Sequence, residues 1–455
     1  MPSETLIGKF FLLGAISLLC SIIVFPLHLT ERLPYSMTPS TPIAFFMCVF
    51  AIGVRGVAVL RWTKFDSVLA IWIVLTIISQ VSSAYSLNRF VNEQDVTTVI
   101  IGYFNYWLVF RAFYAFGIIN PRFATKSVIL ALFGLLSLTC LIGILQSIGP
   151  VQQQMVDLAY RIGAGQEQIK LGASEFTGVR TTSVFSGPNI FGFINLVGCC
   201  LIVGWGIASG ARLREWHAMV TVGALGLFTY ANLNSQSRSS FVLAVLLTLV
   251  YIIFLVRVRK WRALFLAGSM VLAGAIAIVA LTQSGQYEYM TKIFKTGVTA
   301  DESYLVRSRG LAQFLHVAND LSLIGVGQDY FSVQAIGRGD LYSKANGTGD
   351  NGWAMAYFLL GLPGVIHLIW LNITAFKAVK QLRTDKEIFI SWLRAIGGLF
   401  IALYLLTSPF MIRYHKFETF AYFLIVFGVI FAVLDIQKQR DRREHMAAMA
   451  EQPAA

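Results

Sequence analysis

Hydrophobic residues in this chain fall in long uninterrupted runs, separated by short charged or polar connectors. The runs are about 20 residues long, the length that an α-helix needs to cross the ~30 Å hydrocarbon layer of a bilayer. We therefore expect an all-α polytopic membrane protein with about 12 transmembrane helices. The predicted spans are 8–29, 42–60, 66–87, 97–119, 127–148, 189–208, 217–233, 239–256, 263–282, 351–372, 390–408 and 417–434.

Composition supports a membrane protein and argues against several other classes. Of the 455 residues, 56% are hydrophobic and 13% are charged. All five cysteines lie inside apolar runs, which predicts neither a disulfide framework nor a metal cluster. No cofactor is expected from the sequence.

The distribution of basic residues predicts the orientation. With the N-terminus inside, the cytoplasmic connectors and termini hold nineteen Lys and Arg residues, whereas the short outer loops hold five. This asymmetry places both termini in the cytoplasm, including a basic tail at 435–455. The net charge of +13 is then mostly a belt facing anionic lipid headgroups, so nucleic-acid binding is not expected.

Three arginines interrupt the predicted spans: Arg55, Arg111 and Arg394. Each lies within about nine residues of the inner end of its span, where snorkelling or a local partner would accommodate its charge. No pair of acidic or histidine residues lies at the membrane midplane, which argues against an ion-coupled transporter.

Two outer loops are long, 149–188 and 283–350, and long loops are uncommon unless they are functional. In the first, four residues lie on one helical stripe, which predicts an interfacial helix: Val151, Met155, Leu158 and Ile162. The second loop is the longest polar interruption of the chain, and we expect chemistry there. A helix over 303–319 would turn Arg307 toward an apolar surface and Arg309 toward water. A cation turned inward needs a partner, either an acidic side chain or an anionic substrate group.

Several segments together carry a family resemblance. They are RTTSVFSGPNIFG (180–192), NSQSRSS (234–240), an arginine about eighteen residues before the glycine of GVG (Arg307 to Gly325), and a polar residue followed by Asn (Asp350, Asn351) directly before GWAMAYFLLGLPGVI. Their order and the predicted topology resemble the bacterial O-antigen ligase and polysaccharide polymerase superfamily. The resemblance covers roughly residues 100 to 410.

This resemblance implies a fold similar to the C-type glycosyltransferases, in the bacterial inner membrane, with a polyprenyl-pyrophosphate-linked glycan as donor and a glycan as acceptor. Chain-length regulators and export proteins are the partners it implies. Arg180, Arg238 and Arg307 would bind the donor pyrophosphate, although Arg238 alone would also fit an interface anchor. Ligases of this family typically carry a histidine where this chain has Asp350, so the resemblance favours a polymerase of repeat units. A ligase, a glycan-lipid flippase and a non-catalytic assembly subunit remain the alternatives.

The chemistry can be stated from the residue types. Fixed guanidinium groups can stabilise the charge on departing phosphates without a metal, so we expect metal independence. Asp350 is the candidate base for the acceptor hydroxyl, and it would serve equally well as a helix cap. Asn351 and Tyr330 complete the predicted substrate-binding set. Four aromatic residues would stack on sugar rings or anchor the interface: Tyr330, Phe331, Tyr342 and Trp353.

Overall fold

The computed structural model describes residues 4–23, 39–86, 93–162, 181–185, 188–283, 323–325, 351–384, 387–409 and 417–450. Across these ranges the chain forms helices joined by short connectors, and it forms no strand. The protein is therefore an all-α membrane protein, as the apolar runs predict.

Thirteen α-helices are described. They are α1 Glu4–Ile23, α2 Ser40–Arg55, α3 Lys64–Ser86, α4 Glu93–Ile119, α5 Pro121–Leu145, α6 Gly149–Ile162, α7 Pro188–Ser209, α8 Glu215–Asn234, α9 Arg238–Arg257, α10 Trp261–Gln283, α11 Gly352–Gln381, α12 Ile388–Thr407 and α13 Phe417–Ala450. Short 3₁₀ turns follow α2 at Gly56–Leu60 and α7 at Gly210–Arg212.

Each predicted span overlaps one of these helices, and in the described part of the chain eight helices are long and apolar enough to cross a membrane. These eight are α2, α3, α5, α7, α9, α11, α12 and α13. Helices α1 and α10 contain shorter apolar stretches, Leu6–Ile22 and Trp261–Gly274. The multi-pass architecture is therefore supported, and the count of twelve crossings stays a prediction.

Two helices form the centre of the bundle because they are buried on nearly every side. Helix α13 is buried along its apolar half and packs mainly against α4, while α7 is surrounded by α5, α8, α9 and α12. Small residues allow the close approach: a Cβ on Gly428 would lie 2.7 Å from the carbonyl oxygen of Phe110, and one on Gly117 would lie 2.5 Å from the Cβ of Ala432. Packing through small residues is typical of helices in membranes.

Helix α6 confirms that the segment after α5 is helical, as the apolar stripe predicts. It is a 14-residue helix in contact with α5. Its predicted position along the membrane surface stays a prediction.

One end of the bundle is rich in basic residues, and we call it the basic end. There the Arg55 guanidinium donates to the carbonyl oxygen of Ile119 at 3.1 Å, and Arg122 forms an ion pair with Glu387. Under the predicted topology the basic end is cytoplasmic. The opposite end holds the connectors between α8 and α9 and between α5 and α7.

For Arg111 the sequence predicts snorkelling or a local partner, and the structure shows a partner near the basic end. Its guanidinium lies 3.3 Å from the Asp66 carboxylate and donates to the carbonyl oxygen of Arg61 at 3.0 Å. The Asp66 carboxylate also accepts hydrogen bonds from Trp107 and from the backbone and hydroxyl of Thr63, at 2.6 to 2.9 Å. We call this group of residues the Asp66–Arg111 network. The network pairs both buried charges with each other and with neighbouring polar groups.

Candidate functional site

Two of the predicted site residues, Arg238 and Asn351, lie within the described part of the chain. Asp350, Arg307, Arg180 and Tyr330 lie outside the described residues. The structure therefore places Arg238 and Asn351, and the roles of the other four residues stay predictions.

Arg238 lies beside a buried polar cluster at the end of the bundle opposite the basic end. We call this cluster the polar junction, and it consists of residues 181–185, the turn 234–237, Ser240 and Gln146. Residues 181–185, from the motif that begins at 180, and the turn from the motif 234–240 are buried together. The backbone N–H of Thr181 donates to the carbonyl oxygen of Asn234 at 3.2 Å. Two segments more than fifty residues apart in sequence thus form one structural unit.

Gln146 holds the first segment of the junction in place. Its side-chain oxygen accepts hydrogen bonds from the backbone N–H groups of Thr182 and Ser183, at 3.2 and 2.8 Å. Its amide nitrogen donates to the carbonyl oxygen of Ser183 at 3.0 Å, and the Ser183 hydroxyl donates to the carbonyl oxygen of Thr139 at 2.6 Å. Because irregular backbone buried among apolar helices has no water to pair with, this side chain supplies the missing partners.

Helix α7 approaches the second segment of the junction closely. A Cβ on Gly192 would lie 2.9 Å from both the Cβ of Ser237 and the hydroxyl oxygen of Ser240. Only glycine leaves room for this contact. Ser183 and Gln236 have φ angles of 52° and 51°, a left-handed conformation that few non-glycine residues adopt. Such strain is often found at functional sites.

Arg238 is the first residue of α9 and directly follows this turn. Its side chain is half-buried. Unlike the arginines that mark the basic end, it lies at the junction end of the bundle. A cation in this position can meet an anionic group that approaches from the junction side of the membrane.

Unpaired polar atoms lie just beneath the junction. Asn195 in α7 is fully buried, and neither atom of its side-chain amide has a hydrogen-bond partner among the described residues. Its neighbours one turn away, Gly192 and Gly198, pack against Ser240 and Phe228 respectively, so Asn195 faces the α8–α9 hairpin. The side-chain oxygen of Asn232 and the hydroxyl of Thr181 are also buried without a partner in the described part of the chain.

Asn351 lies at the start of α11. Its side-chain oxygen caps the helix by accepting from the backbone N–H groups of Trp353 and Ala354, both at 3.0 Å. The backbone N–H of Gly352 donates to the carbonyl oxygen of Ser408 at 2.6 Å, which fixes α11 to the end of α12. The cap position is therefore occupied by Asn351, the residue after Asp350.

Part of the long loop contacts a kink in α11. Gly361 departs from helical geometry with φ 66° and ψ −157°. Pro363 has no N–H to donate to the carbonyl of Leu359, and the hydroxyl of Ser79 donates to that carbonyl instead. The N–H of Leu362 donates to the carbonyl oxygen of Leu323 at 3.1 Å.

Glycine is required on both sides of this contact. A Cβ on Gly361 would lie 1.9 Å from the carbonyl oxygen of Leu323, and a Cβ on Gly325 would lie 2.5 Å from the backbone nitrogen of Gly361. Gly361 is nine residues into α11, about 13 Å from its start. The described part of the loop thus contacts the bundle well below the end of α11.

Sequence reasoning missed Gln146, Asn195 and Asn232. A detectable signal existed, because each is an amide side chain within or at the edge of an apolar run, where polar residues are expensive and often functional. In the described residues no group of three or more His, Cys, Asp or Glu side chains is arranged to hold a metal ion. Metal independence stays a prediction.

No model of a known protein family matches this chain, and no curated protein matches it significantly. The resemblance to the ligase and polymerase superfamily therefore depends on the quoted segments and their order along the chain.

Proposed function

We propose that the protein polymerises polyprenyl-pyrophosphate-linked oligosaccharide repeat units at the outer face of the bacterial cytoplasmic membrane. The observation that supports this most is the polar junction. The described residues of two motifs that carry the family resemblance, 181–185 and 234–237, pack together at one end of the bundle, beside Arg238. That end lies opposite the basic end, as a site on the outer face requires.

The proposed reaction transfers a glycan between two lipid-linked substrates. The hydroxyl oxygen of the acceptor sugar attacks the anomeric carbon of the donor glycan, and the bond from that carbon to the pyrophosphate oxygen breaks. Polyprenyl pyrophosphate leaves with the bonding electrons, and the hydroxyl proton passes to the Asp350 carboxylate. Arg238, with Arg180 and Arg307, stabilises the charge that develops on the departing pyrophosphate.

The cap at Asn351 sharpens the proposal for Asp350. Since Asn351 already accepts the first N–H groups of α11, the helix does not need the Asp350 side chain as its cap. The proposed general base is thus adjacent to a fixed point of the bundle.

Analysis of the glycan products in a deletion strain tests this function. Accumulation of single, unpolymerised repeat units on the outer face is expected when the chain is absent, with polymer restored by the wild-type gene. Retention of the units on the cytoplasmic side would overturn the proposal in favour of a flippase. Polymer of normal length that fails to reach its acceptor would overturn it in favour of a ligase.

Complementation with matched arginine variants tests the site. Arg238→Ala is expected to lose polymer, by about a hundredfold or more in rate, because a charge-assisted contact to the transition state is removed. Arg257→Ala, at the other end of the same helix and exposed, is the control and is expected to retain polymer. Equal polymer from both variants at equal protein level would contradict the assignment.

Arg307 and Arg309 form a second matched pair. Arg307→Ala is expected to abolish polymer and Arg309→Ala to have a mild effect, because only Arg307 lies on the predicted apolar face. Equal losses in the two variants would refute this face assignment.

A further inference from the structure

An apolar groove runs along the bundle between α8, α9 and α10. Its volume is about 580 Å³, within the range of roughly 300–1,000 Å³ typical of small-molecule sites. Leu225 and Tyr251 form its buried wall, whereas Tyr230, Leu249 and Val271 are between 43% and 55% exposed along its open side. The groove therefore opens to the surface that faces lipid.

The groove offers almost no polar group to a ligand. The hydroxyl of Thr229 donates to the carbonyl oxygen of Leu225, and that of Thr248 donates to the carbonyl oxygen of Ala244, both at 2.8 Å. These are bonds within each threonine's own helix, so both hydroxyls are satisfied without a ligand. Such a surface suits a hydrocarbon chain.

Arg238 lies at the N-terminal end of the α9 stripe that lines this groove. On α9 the lining residues Phe241, Val245, Leu249 and Ile252 follow Arg238 at i+3, i+7, i+11 and i+14. These spacings place them on one face of a helix. The stripe is about 21 Å long, since each residue rises 1.5 Å. The stripe thus has a cation at its junction end and apolar residues along the rest of its length. This arrangement matches a lipid with an anionic head and a long tail.

We propose that this groove binds the isoprenoid chain of the polyprenyl pyrophosphate carrier, with the pyrophosphate at Arg238. The inference deepens the proposed function and rests on it for the identity of the lipid. The groove has one such apolar stripe, which favours a lipid with a single chain over a phospholipid, which carries two acyl chains. Because Arg238 lies beside the polar junction, a lipid bound in this way would extend from the groove to the candidate site.

Lipid binding to the purified full-length protein tests the proposal without requiring turnover. The probe is undecaprenyl pyrophosphate, measured by native mass spectrometry or by radiolabelled binding, with phosphatidylglycerol as competitor. Leu249→Trp partly fills the groove, and displacing two or three methylene-sized groups is expected to weaken binding about tenfold or more. Leu246→Trp is the matched control, because Leu246 has almost the same exposure on the same helix, 48% against 47%, but does not line the groove.

The expected result is weak binding by Leu249→Trp and by Arg238→Ala, and wild-type binding by Leu246→Trp. Equal binding by the two tryptophan variants would overturn the proposal, as would equal competition by phosphatidylglycerol, which would identify the groove as a site for bulk lipid. The proposed function fails separately. A protein that binds the carrier through this groove but makes no polymer in the deletion strain would refute the polymerase and leave the groove assignment standing.

Discussion

The Asp66–Arg111 network and the polar junction are both buried polar groups in a membrane bundle, at opposite ends, and they differ in how completely they are paired. Asp66 accepts hydrogen bonds from Thr63 and Trp107 as well as from Arg111. Beneath the junction, by contrast, Asn195 leaves its whole amide unpaired among the described residues.

This difference separates a structural role from a candidate functional one. A saturated network has no remaining capacity for a ligand, so it fixes the positions of α3 and α4. An unsatisfied buried amide lowers stability, and a protein retains it more readily where the group has another task. The comparison therefore predicts opposite changes in stability when Asp66 and Asn195 lose their polar side chains.

The largest loss of stability is expected at the Asp66–Arg111 network. Asp66→Leu leaves the Arg111 guanidinium buried without its counter-charge, which should lower the free energy of unfolding by about 3–5 kcal/mol. The exposed pair Arg440–Glu444 is the control, and Glu444→Ala should cost less than about 0.5 kcal/mol. Thermal unfolding in detergent measures both.

A double variant keeps this prediction testable if Asp66→Leu fails to fold. Asp66→Leu with Arg111→Met removes both charges and should recover most of the lost stability. A double variant as unstable as the single one would show that the charge pair is not the cause.

The next largest effect is expected at Gln146, where the junction is held together. Gln146→Leu leaves the buried N–H groups of Thr182 and Ser183 unpaired and should cost about 2–4 kcal/mol. Gln154→Leu, on the exposed surface of α6, is the control and should change stability little. Unfolding measurements on the two variants decide the matter. A stable Gln146→Leu protein would mean that the junction does not depend on the hydrogen bonds of the Gln146 side chain.

The helices could be predicted from the sequence because an apolar run of the right length is a local signal. The α13 helix shows the limit of that signal. Its predicted span ends at 434, yet the helix continues to Ala450, because the charged and alanine-rich residues that follow have high helix propensity. Hydropathy predicts the part of a helix that crosses the membrane, but it does not predict how far the helix continues beyond the apolar run.

The contacts of the buried polar groups, in the network and in the candidate site alike, could not be predicted, because they join residues that are distant in sequence. The partner of Arg111 is 45 residues away on another helix, and Gln146 pairs with backbone groups 36 and 37 residues away. Spacing along one helix gives its faces but not which helix covers each face. The proximity of residues 181–185 to the turn 234–237 likewise appears only once α5, α7, α8 and α9 are packed.

A smaller change, of opposite sign, is expected at Asn195. Asn195→Leu replaces an unpaired buried amide with an apolar side chain of similar size, so stability should stay equal or rise by about 1 kcal/mol. Polymer should decrease if the amide serves the site. A variant that loses stability would show that Asn195 is paired in the folded protein, and one that keeps full activity would assign it no functional role.

The smallest change in stability is expected at Asn351, where capping and substrate binding can be separated. Its side-chain oxygen is engaged by two backbone N–H groups of α11, whereas its amide nitrogen makes no hydrogen bond to the described residues. Asn351→Ser keeps a good capping oxygen and removes that nitrogen, so stability should change by only a few tenths of a kcal/mol, against about 1 kcal/mol for Asn351→Ala.

If the amide nitrogen binds substrate, the Ser variant should be as stable as the wild type and should make little polymer. If Asn351 only caps α11, the Ser variant should make normal polymer and the Ala variant should lose polymer only as far as its protein level falls. Measuring polymer and protein level together in the two variants therefore decides whether the predicted substrate contact at Asn351 exists.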